Sequence, residues 1–160
     1  MTIDWPTTDG IGLVILTSAH AADHARLEEF LRSPDLKGVV VRYAVDISGD
    51  AGPLADVIRA AAVPVAAMVR ADCGGAGLEI ASACDFRFES AEALGDADEQ
   101  AAEFLRALTE GRPAPLVRAI VTSIRNAGRM PLDAALREET DLFCRAARVL
   151  ISADPEDGPQ

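Results

Sequence analysis

The sequence has little positive charge and no long hydrophobic run. Lysine occurs once, at Lys37, and Asp plus Glu outnumber Lys plus Arg by 26 to 15, which gives a net charge of −11. Surfaces that bind nucleic acid or anionic membranes are rich in basic residues, so this balance argues against both partners. No apolar run approaches the roughly 18 residues of a membrane-spanning helix, and no basic segment followed by an apolar block marks a secretory signal. We therefore expect a cytoplasmic protein with no membrane or nucleic-acid partner.

Cysteine and histidine are also scarce, which bears on disulfides and metal sites. Cys73, Cys84 and Cys144 are odd in number and their spacing matches no metal-binding motif, so we expect reduced thiols. His20 and His24 lie one helical turn apart, as a pair of metal ligands can, but no third ligand is near them in sequence. We therefore predict no bound metal.

The first part of the chain alternates between short apolar runs and helical patterns. Apolar runs predict buried strands at residues 11–17, 37–44 and 64–69, and alternation of apolar with charged residues predicts a fourth strand at 84–90. Helical patterns at 23–33 and 54–63 separate the first three runs, and strands joined through a helix run parallel. Turn-forming residues fill the stretch DISGDAGP at 46–53. The pattern indicates an α/β core over residues 8–90.

From about residue 96 the pattern is helical only. Gly111 and Gly128 end two predicted helices, and Pro131 begins a third at the favoured first helical position. Apolar residues recur at helical spacing along this last helix, at Leu132, Leu136, Phe143, Ala146 and Leu150. Such a stripe is typical of core packing or of a subunit contact. We predict one domain, 1–160, whose C-terminal part at 96–152 is helical.

The stretch RADCGGAGLEIASACD, residues 70–85, has the features of a binding turn. Glycines between a strand and a helix allow positive φ and leave amide groups accessible. Amides at a helix start carry partial positive charge, so they can hold an oxygen atom that becomes negative during a reaction. Glu79 lies three residues after Ala76, where its carboxylate can project back toward a ligand of the turn. The same residues fit a packing turn in which Glu79 only stabilises the helix start, and the spacing alone leaves both readings open.

Residues 64–90, PVAAMVRADCGGAGLEIASACDFRFES, resemble the signature of the crotonase, or enoyl-CoA hydratase/isomerase, superfamily. In that signature an apolar strand leads into a Gly-Gly-Gly-x-Glu-Leu-Ala turn and helix, followed by Cys-Asp and a short strand. The similarity continues on both sides: GLVILT resembles the first strand of the family, RLEEFLRSPDLKGVVVR the next helix and strand, and 131–158 the closing helix. It implies an α/β, crotonase-like (ClpP/crotonase) ββα spiral core of parallel strands, shortened and closed by C-terminal helices that mediate assembly.

The resemblance also implies a chemistry and a set of site residues. Members of the family bind acyl-CoA, polarise the thioester carbonyl between two backbone amides and stabilise an enolate. By position, one amide donor falls in the Gly75–Ala76 turn, at Ala76, and the other in the shortened ISGDAG loop, at Gly49 or Asp50. Glu79 matches the first of the two glutamates with which hydratases handle water and a proton. An acyl-CoA or acyl-carrier thioester is the implied partner, with coenzyme A as part of the substrate and no further cofactor.

Two family features have no match in this sequence. The segment that supplies the second glutamate is missing, and no motif supports Glu92, Asp96, Asp98 or Glu99 in its place. The Asn-Arg-Pro stretch that helps to seat coenzyme A is also missing. Two hypotheses follow. The first is a homo-oligomeric enzyme, trimer or hexamer, of the enoyl-CoA hydratase/isomerase type, and the second is a non-catalytic subunit that assembles with and supports a longer crotonase.

Overall fold

A computed structural model of the chain describes residues 1–4, 9–19, 21–70, 73–90, 94–127 and 129–153. Within these ranges the chain forms five strands and six helices. In chain order they are β1 (Thr2–Asp4), β2 (Ile11–Ala19), α1 (Ala21–Leu31), β3 (Gly38–Gly49), α2 (Gly52–Arg59), β4 (Val65–Arg70), α3 (Gly75–Ala83), β5 (Phe86–Ser90), α4 (Leu94–Thr109), α5 (Ala114–Ala127) and α6 (Leu132–Ala153).

The described strands form one sheet in the order β1-β2-β3-β4-β5. The four strands from β2 to β5 are parallel, and Val41 of β3 pairs with Val14 on one side and with Ala67 on the other. These four strands correspond to the four predicted strands, which confirms the α/β class. β1 is an additional strand that pairs antiparallel with β2, so the predicted core of parallel strands is not purely parallel. Its three residues are too short to show alternation in the sequence.

β3 corrects the predicted turn at residues 46–53. The strand continues to Gly49, and its last residues pair with the end of β2 after an irregularity between Leu16 and Ser18. Only the residues between Gly49 and the start of α2 at Gly52 form the connection. Pairing with a neighbouring strand has therefore overridden the local turn preference of Asp, Ser and Gly.

Side chains alternate along the strands between two apolar layers. Val39 and Val41 pack with side chains of α1, α2 and α3, whereas Val40 packs with Ala101 and Leu105 of α4. Successive side chains of a strand point to opposite faces, so adjacent valines serve different layers. A parallel sheet covered on both faces needs continuous apolar strands, which explains the unbroken apolar runs 39–41 in β3 and 65–69 in β4.

Gly12 of β2 makes room for the ring of Phe30 on α1. A Cβ atom at position 12 would lie 2.4 Å from Phe30 Cζ, far inside the contact distance of two carbon atoms. Phe30 is only 2% exposed and packs in the layer formed with α1, α2 and α3. Because interiors are close-packed, the ring has no free space to move into. The missing side chain at position 12 is therefore a condition for the close approach of α1 to the sheet.

Asp85 joins the start of β4 to the residues just before β5. Its Oδ2 accepts a hydrogen bond from the Val65 N–H at 2.9 Å, and its own N–H donates to the Val65 carbonyl oxygen at 2.8 Å. Two bonds to one residue fix the entry of both strands into the sheet. The Cys-Asp pair of the sequence motif thus contributes to the fold through this aspartate.

The chain divides into two compact units, Met1–Glu110 and Gly111–Gln160. The first unit contains the sheet and α1 to α4, and α4 contacts β2, β3, β4 and β5. The second contains α5 and α6, which pack against each other. The predicted helical part at 96–152 is thereby divided between the units, because α4 covers one face of the sheet. A single domain over 1–160 stays a prediction.

Asp98 connects α4 to β3 through an ion pair with Arg42. Arg42 Nη1 lies 2.5 Å from Asp98 Oδ2, while Asp98 Oδ1 is buried without a hydrogen-bond partner among the described residues. Burial raises the pKa of Asp98 above its ordinary value, and the opposing effect of Arg42 does not cancel this. An acid with a raised pKa in the folded state stabilises the fold when it is protonated, and this contribution is lost as the pH rises through that pKa.

We expect Asp98→Asn to be more destabilising at pH 4 than at pH 7. As the pH falls toward the raised pKa, the wild-type carboxyl binds a proton more readily in the folded than in the unfolded state, and the amide of the variant cannot. The difference in the free energy of unfolding between the two proteins, measured in urea from pH 4 to pH 7, should increase toward the acidic end. Glu99→Gln, at an exposed position of α4, controls for the lost charge. A difference that stays constant with pH would contradict the raised pKa.

Candidate functional site

The candidate site lies where α2 and α3 begin, beyond the carboxyl ends of two neighbouring strands. β3 ends at Gly49 before α2, and β4 ends at Arg70 before α3. The two strands are parallel neighbours and the two helices pack against each other. Ligands of open α/β sheets bind in the crevice at the carboxyl ends of the strands. We refer to residues 49–52 as the α2 loop and to residues 73–76 as the α3 turn.

The α3 turn has an open approach. Gly75 has φ of +53°, a left-handed conformation that favours glycine, and Gly74 before it is extended. Apart from its own chain neighbours and helix backbone, a Cβ atom at either glycine would meet no atom of the described residues within 4 Å. The first four amides of an α-helix have no carbonyl partner inside the helix, and the N–H of Ala76, in the first turn of α3, is one of them. The turn therefore offers unpaired helix-start amides beside open space.

The body of α3 holds these amides in position. Ile80 and Ala81 are fully buried, and Ala76 packs at the edge of the same apolar layer. The buried side of the helix is fixed by the core, while Gly75 and Glu79 are exposed. A group that must stabilise charge gains from such a rigid support, because it does not have to reorganise when the charge develops.

The α2 loop turns sharply and is tied to its own helix. Gly49 has φ of +111°, which side chains rarely adopt. Asp50 Oδ1 accepts a hydrogen bond from the Gly52 N–H at 3.0 Å, and Ala51 between them is buried. Aspartate commonly bonds the backbone two residues ahead in this way at turns and helix starts. The carboxyl group of Asp50 is thus held at the start of α2.

The Glu79 side chain extends from α3 toward the α2 loop. Its Oε1 lies 3.7 Å from the position that a Cβ atom of Gly52 would occupy, and Asp50 Oδ1 lies 3.3 Å from the same position. Two carboxylates, one from the α2 loop and one from α3, therefore flank Gly52. Among the described residues, none forms a hydrogen bond or ion pair with the Glu79 carboxylate, and the side chain is exposed. It is accessible to a ligand as it stands.

Of the five predicted site residues, the structure brings Asp50 and Glu79 close to the same point beside Gly52, while the others lie in the two connections that lead into α2 and α3. Gly49 and Asp50 form the α2 loop, Gly75 and Ala76 the α3 turn, and Glu79 reaches from the second toward the first. From the sequence, Asp50 was predicted only as a possible backbone amide donor. Its carboxyl group was missed because only the packing of α2 on α3 shows that it lies near Glu79.

The candidates for a second carboxylate fall elsewhere. Glu92 and the side chain of Asp96 lie outside the described residues. Asp98 pairs with Arg42, and its helix packs on the face of the sheet opposite to α2 and α3. Glu99 is exposed on the same helix. None of the described carboxylates in this group lies in the candidate site.

The described part of the chain shows neither a metal-binding cluster nor a membrane-spanning helix. There, no group of three or more His, Cys, Asp or Glu is arranged to hold a metal ion. His20, the other member of the predicted His20–His24 pair, lies outside the described residues. Of the helices that the structure describes, none combines the length and apolarity needed to cross a membrane.

The fold is similar to the folds of known protein structures. No protein-family model and no curated protein matches the sequence significantly. The structure is similar to that of enoyl-CoA hydratase from Thermoplasma volcanium, with a TM-score of 0.69 and 16% identity over 97% of this chain and 93% of that chain. It is also similar to enoyl-CoA hydratase from Bacillus anthracis, with a TM-score of 0.64 and 14% identity over 89% and 88% of the two chains. The chain therefore has the crotonase-like fold that its sequence resemblance implied.

Proposed function

We propose that this protein binds an acyl thioester at the candidate site and acts on it as an enoyl-CoA hydratase/isomerase-like enzyme of the cytoplasm. The observation that carries the proposal is the position of Glu79, whose Oε1 stands 3.7 Å from the Gly52 Cβ position and so faces the α2 loop from α3. The Glu79 carboxylate thus lies close to the start of α2, as a proton-transferring group of such a site would. The crotonase-like fold supports this reading, because the structures it resembles include proteins described as enoyl-CoA hydratases.

The backbone amides of the two turns stabilise the thioester oxygen. The Ala76 N–H donates from the start of α3, and the N–H of Gly49 or Asp50 donates from the α2 loop. When a proton leaves the carbon next to the carbonyl, the oxygen becomes negative and both hydrogen bonds strengthen. Donors of this kind each contribute about 3 to 4 kcal/mol to the transition state when they are held rigidly.

Glu79 moves the proton. In isomerisation its carboxylate removes a proton from the α-carbon, the electrons pass to the thioester oxygen as an enolate, and the same carboxyl group returns the proton to the γ-carbon as the double bond shifts. One carboxylate is sufficient for this sequence, since the proton that is removed is also the one returned. Coenzyme A, or an acyl-carrier arm in its place, enters as part of the substrate, and no further cofactor takes part.

Binding and turnover of thioesters test the proposal directly. The purified protein should bind crotonyl-CoA and related acyl-CoAs in calorimetry, and it should isomerise 3-enoyl thioesters or hydrate 2-enoyl thioesters. Free coenzyme A and the corresponding free acids serve as controls, because they lack the thioester carbonyl. Absence of both binding and turnover across a panel of chain lengths would refute the proposal.

A second candidate function is favoured by the surface of α6. Leu132 is 75% exposed and Leu136 is 52% exposed, one turn apart at the start of the helix. In the same predicted stripe Ala146 is buried, so only the second half of the stripe serves the core. Large apolar side chains exposed together mark contact surfaces. This surface suits a non-catalytic subunit that assembles with a longer crotonase, and it equally suits a homo-oligomer.

Charged substitutions on α6 separate assembly from folding. We expect Leu132→Glu combined with Leu136→Glu to convert an oligomer into a monomer, because a desolvated carboxylate in an apolar contact costs several kcal/mol. Light scattering after gel filtration measures the mass, and circular dichroism checks the fold. Thr140→Glu, at the next exposed turn of the helix, is the control for added charge. An unchanged mass in the double variant would show that this surface does not mediate assembly.

A further inference from the structure

We propose that Asp50 is the second catalytic carboxylate of this site and acts on water opposite Glu79. The inference rests on the proposed function and assigns the hydration step to a residue that the family signature does not supply. The signature match gives one carboxylate only, and the described alternatives on α4 lie on the other face of the sheet. Asp50 lies within the site itself.

The geometry around Gly52 supports the pairing. Asp50 Oδ1 and Glu79 Oε1 lie 3.3 and 3.7 Å from the Cβ position of this glycine, one on the α2 loop and the other on α3. Because Gly52 has no side chain, the space between the two carboxylates stays free. A substrate carbon or a water molecule beside Gly52 would therefore be within reach of both groups.

The hydrogen bond from the Gly52 N–H orients the Asp50 carboxyl group. At 3.0 Å it engages Oδ1 and holds the group at the start of α2. A catalytic carboxylate has to be positioned within hydrogen-bond reach of the proton it takes, and a backbone bond achieves this without a second side chain. The same bond explains why aspartate, with its short side chain, fits this position.

Hydration then proceeds with a balanced transfer of protons. Asp50, ionised, takes a proton from water while the water oxygen forms a bond to the β-carbon of the enoyl thioester. The electrons of the carbon–carbon double bond move to the thioester oxygen, which the amides of the two turns hold. The Glu79 carboxyl group then gives a proton to the α-carbon as those electrons return. Proton exchange with solvent restores the two carboxyl groups, and the net change is the addition of one water molecule.

Asp50→Asn distinguishes this role from a structural one. Asparagine keeps a side-chain oxygen that accepts the Gly52 N–H, but it cannot take a proton from water. Asp50→Ala loses both properties. We expect Asp50→Asn to lower kcat for hydration of crotonyl-CoA about 100-fold more than kcat for isomerisation of a 3-enoyl-CoA, because isomerisation needs Glu79 alone. Asp56→Asn, at an exposed acid of α2 outside the site, is the matched control and should leave both rates at the wild-type level.

Gly52→Ala provides an independent test of the space between the carboxylates. The added methyl group would be 3.7 Å from Glu79 Oε1, which is an ordinary contact, and 3.3 Å from Asp50 Oδ1, a tight contact that a small shift of this side chain relieves, so it occupies the gap between the carboxylates. We expect hydration to fall at least 10-fold in this variant, since a methyl group displaces the water beside Asp50. The melting temperature is measured for each variant, so that loss of structure is separated from loss of chemistry.

Each outcome decides the inference. A hydration rate in Asp50→Asn that matches the wild type overturns it, and so does an equal fall of hydration and isomerisation in Asp50→Asn and Asp50→Ala, which would mark Asp50 as a helix cap only. Isomerisation by the wild type without any hydration overturns it while leaving the proposed function in place. A wild type that neither binds nor converts thioesters removes the proposed function, and the inference falls with it.

Discussion

Glu79→Gln should reduce kcat for thioester isomerisation at least about 100-fold, with little change in thioester affinity. Glutamine has nearly the same shape as glutamate but cannot remove a proton from carbon. The side chain is exposed in the first turns of α3 and has no bonded partner among the described residues, so the fold does not depend on its charge. Steady-state kinetics give kcat and KM, and calorimetry with a slowly reacting acyl-CoA gives the affinity.

The control for this variant is an acid of the same kind away from the site. Glu103 is exposed on α4, so Glu103→Gln removes the same charge from the same unit of the protein. Its kinetics should match those of the wild type. If Glu79→Gln retains the wild-type kcat, Glu79 does not transfer the proton, and the carboxylate would then have only the electrostatic role at the helix start that the sequence alone left open.

Ala76→Pro should lower kcat by about 100- to 1,000-fold, because it deletes one donor to the thioester oxygen. Proline lacks the N–H group but is tolerated in the first turn of a helix, where no intrahelical bond is lost. Ala76 lies in that turn, only partly buried, and the preceding Gly75 has no Cβ atom to clash with the proline ring. The expected effect is therefore on chemistry, with the fold retained.

Ala76→Gly is the matched control for the deleted amide. It removes the methyl group but keeps the N–H, so it should lose far less activity than the proline variant, at a stability cost of about 1 kcal/mol or less. Circular dichroism and the melting temperature of all three proteins show whether α3 forms. A folded Ala76→Pro variant with the kcat of Ala76→Gly would exclude the Ala76 amide as a donor.

The strands and helices were predictable where the pattern is local. Val39 to Val41 read as a buried strand because a sheet covered on both faces needs apolar residues in succession. The end of β3 was not predictable. Residues 46–49 carry turn-forming side chains, and only pairing with the end of β2, as between Ala19 and Gly49, keeps them extended. The paired residues of β2 lie 30 positions earlier in the chain, so no local pattern reveals this pairing.

The glycines of the site and Glu79 could be predicted from the sequence, but the proximity of the Asp50 carboxyl group could not. The order of Gly74, Gly75 and Glu79 is visible in one stretch of sequence, so the turn and its acid could be named. The approach of Asp50 depends on α2 packing against α3, which no local pattern encodes. Asp85 shows the same limit, because its bonds to Val65 join residues that are 20 positions apart.

Gly12 has a consequence for how this sequence can change over time. The ring of Phe30 occupies the space that a side chain at position 12 would need, since a Cβ atom there would come within 2.4 Å of the ring. A larger residue at position 12 is tolerable only after Phe30 has been replaced by a smaller one. A smaller residue at position 30 alone would leave a cavity that costs about 3 to 5 kcal/mol. Substitution at position 12 must therefore follow substitution at position 30. In related chains, a larger residue at position 12 should accompany a smaller one at position 30.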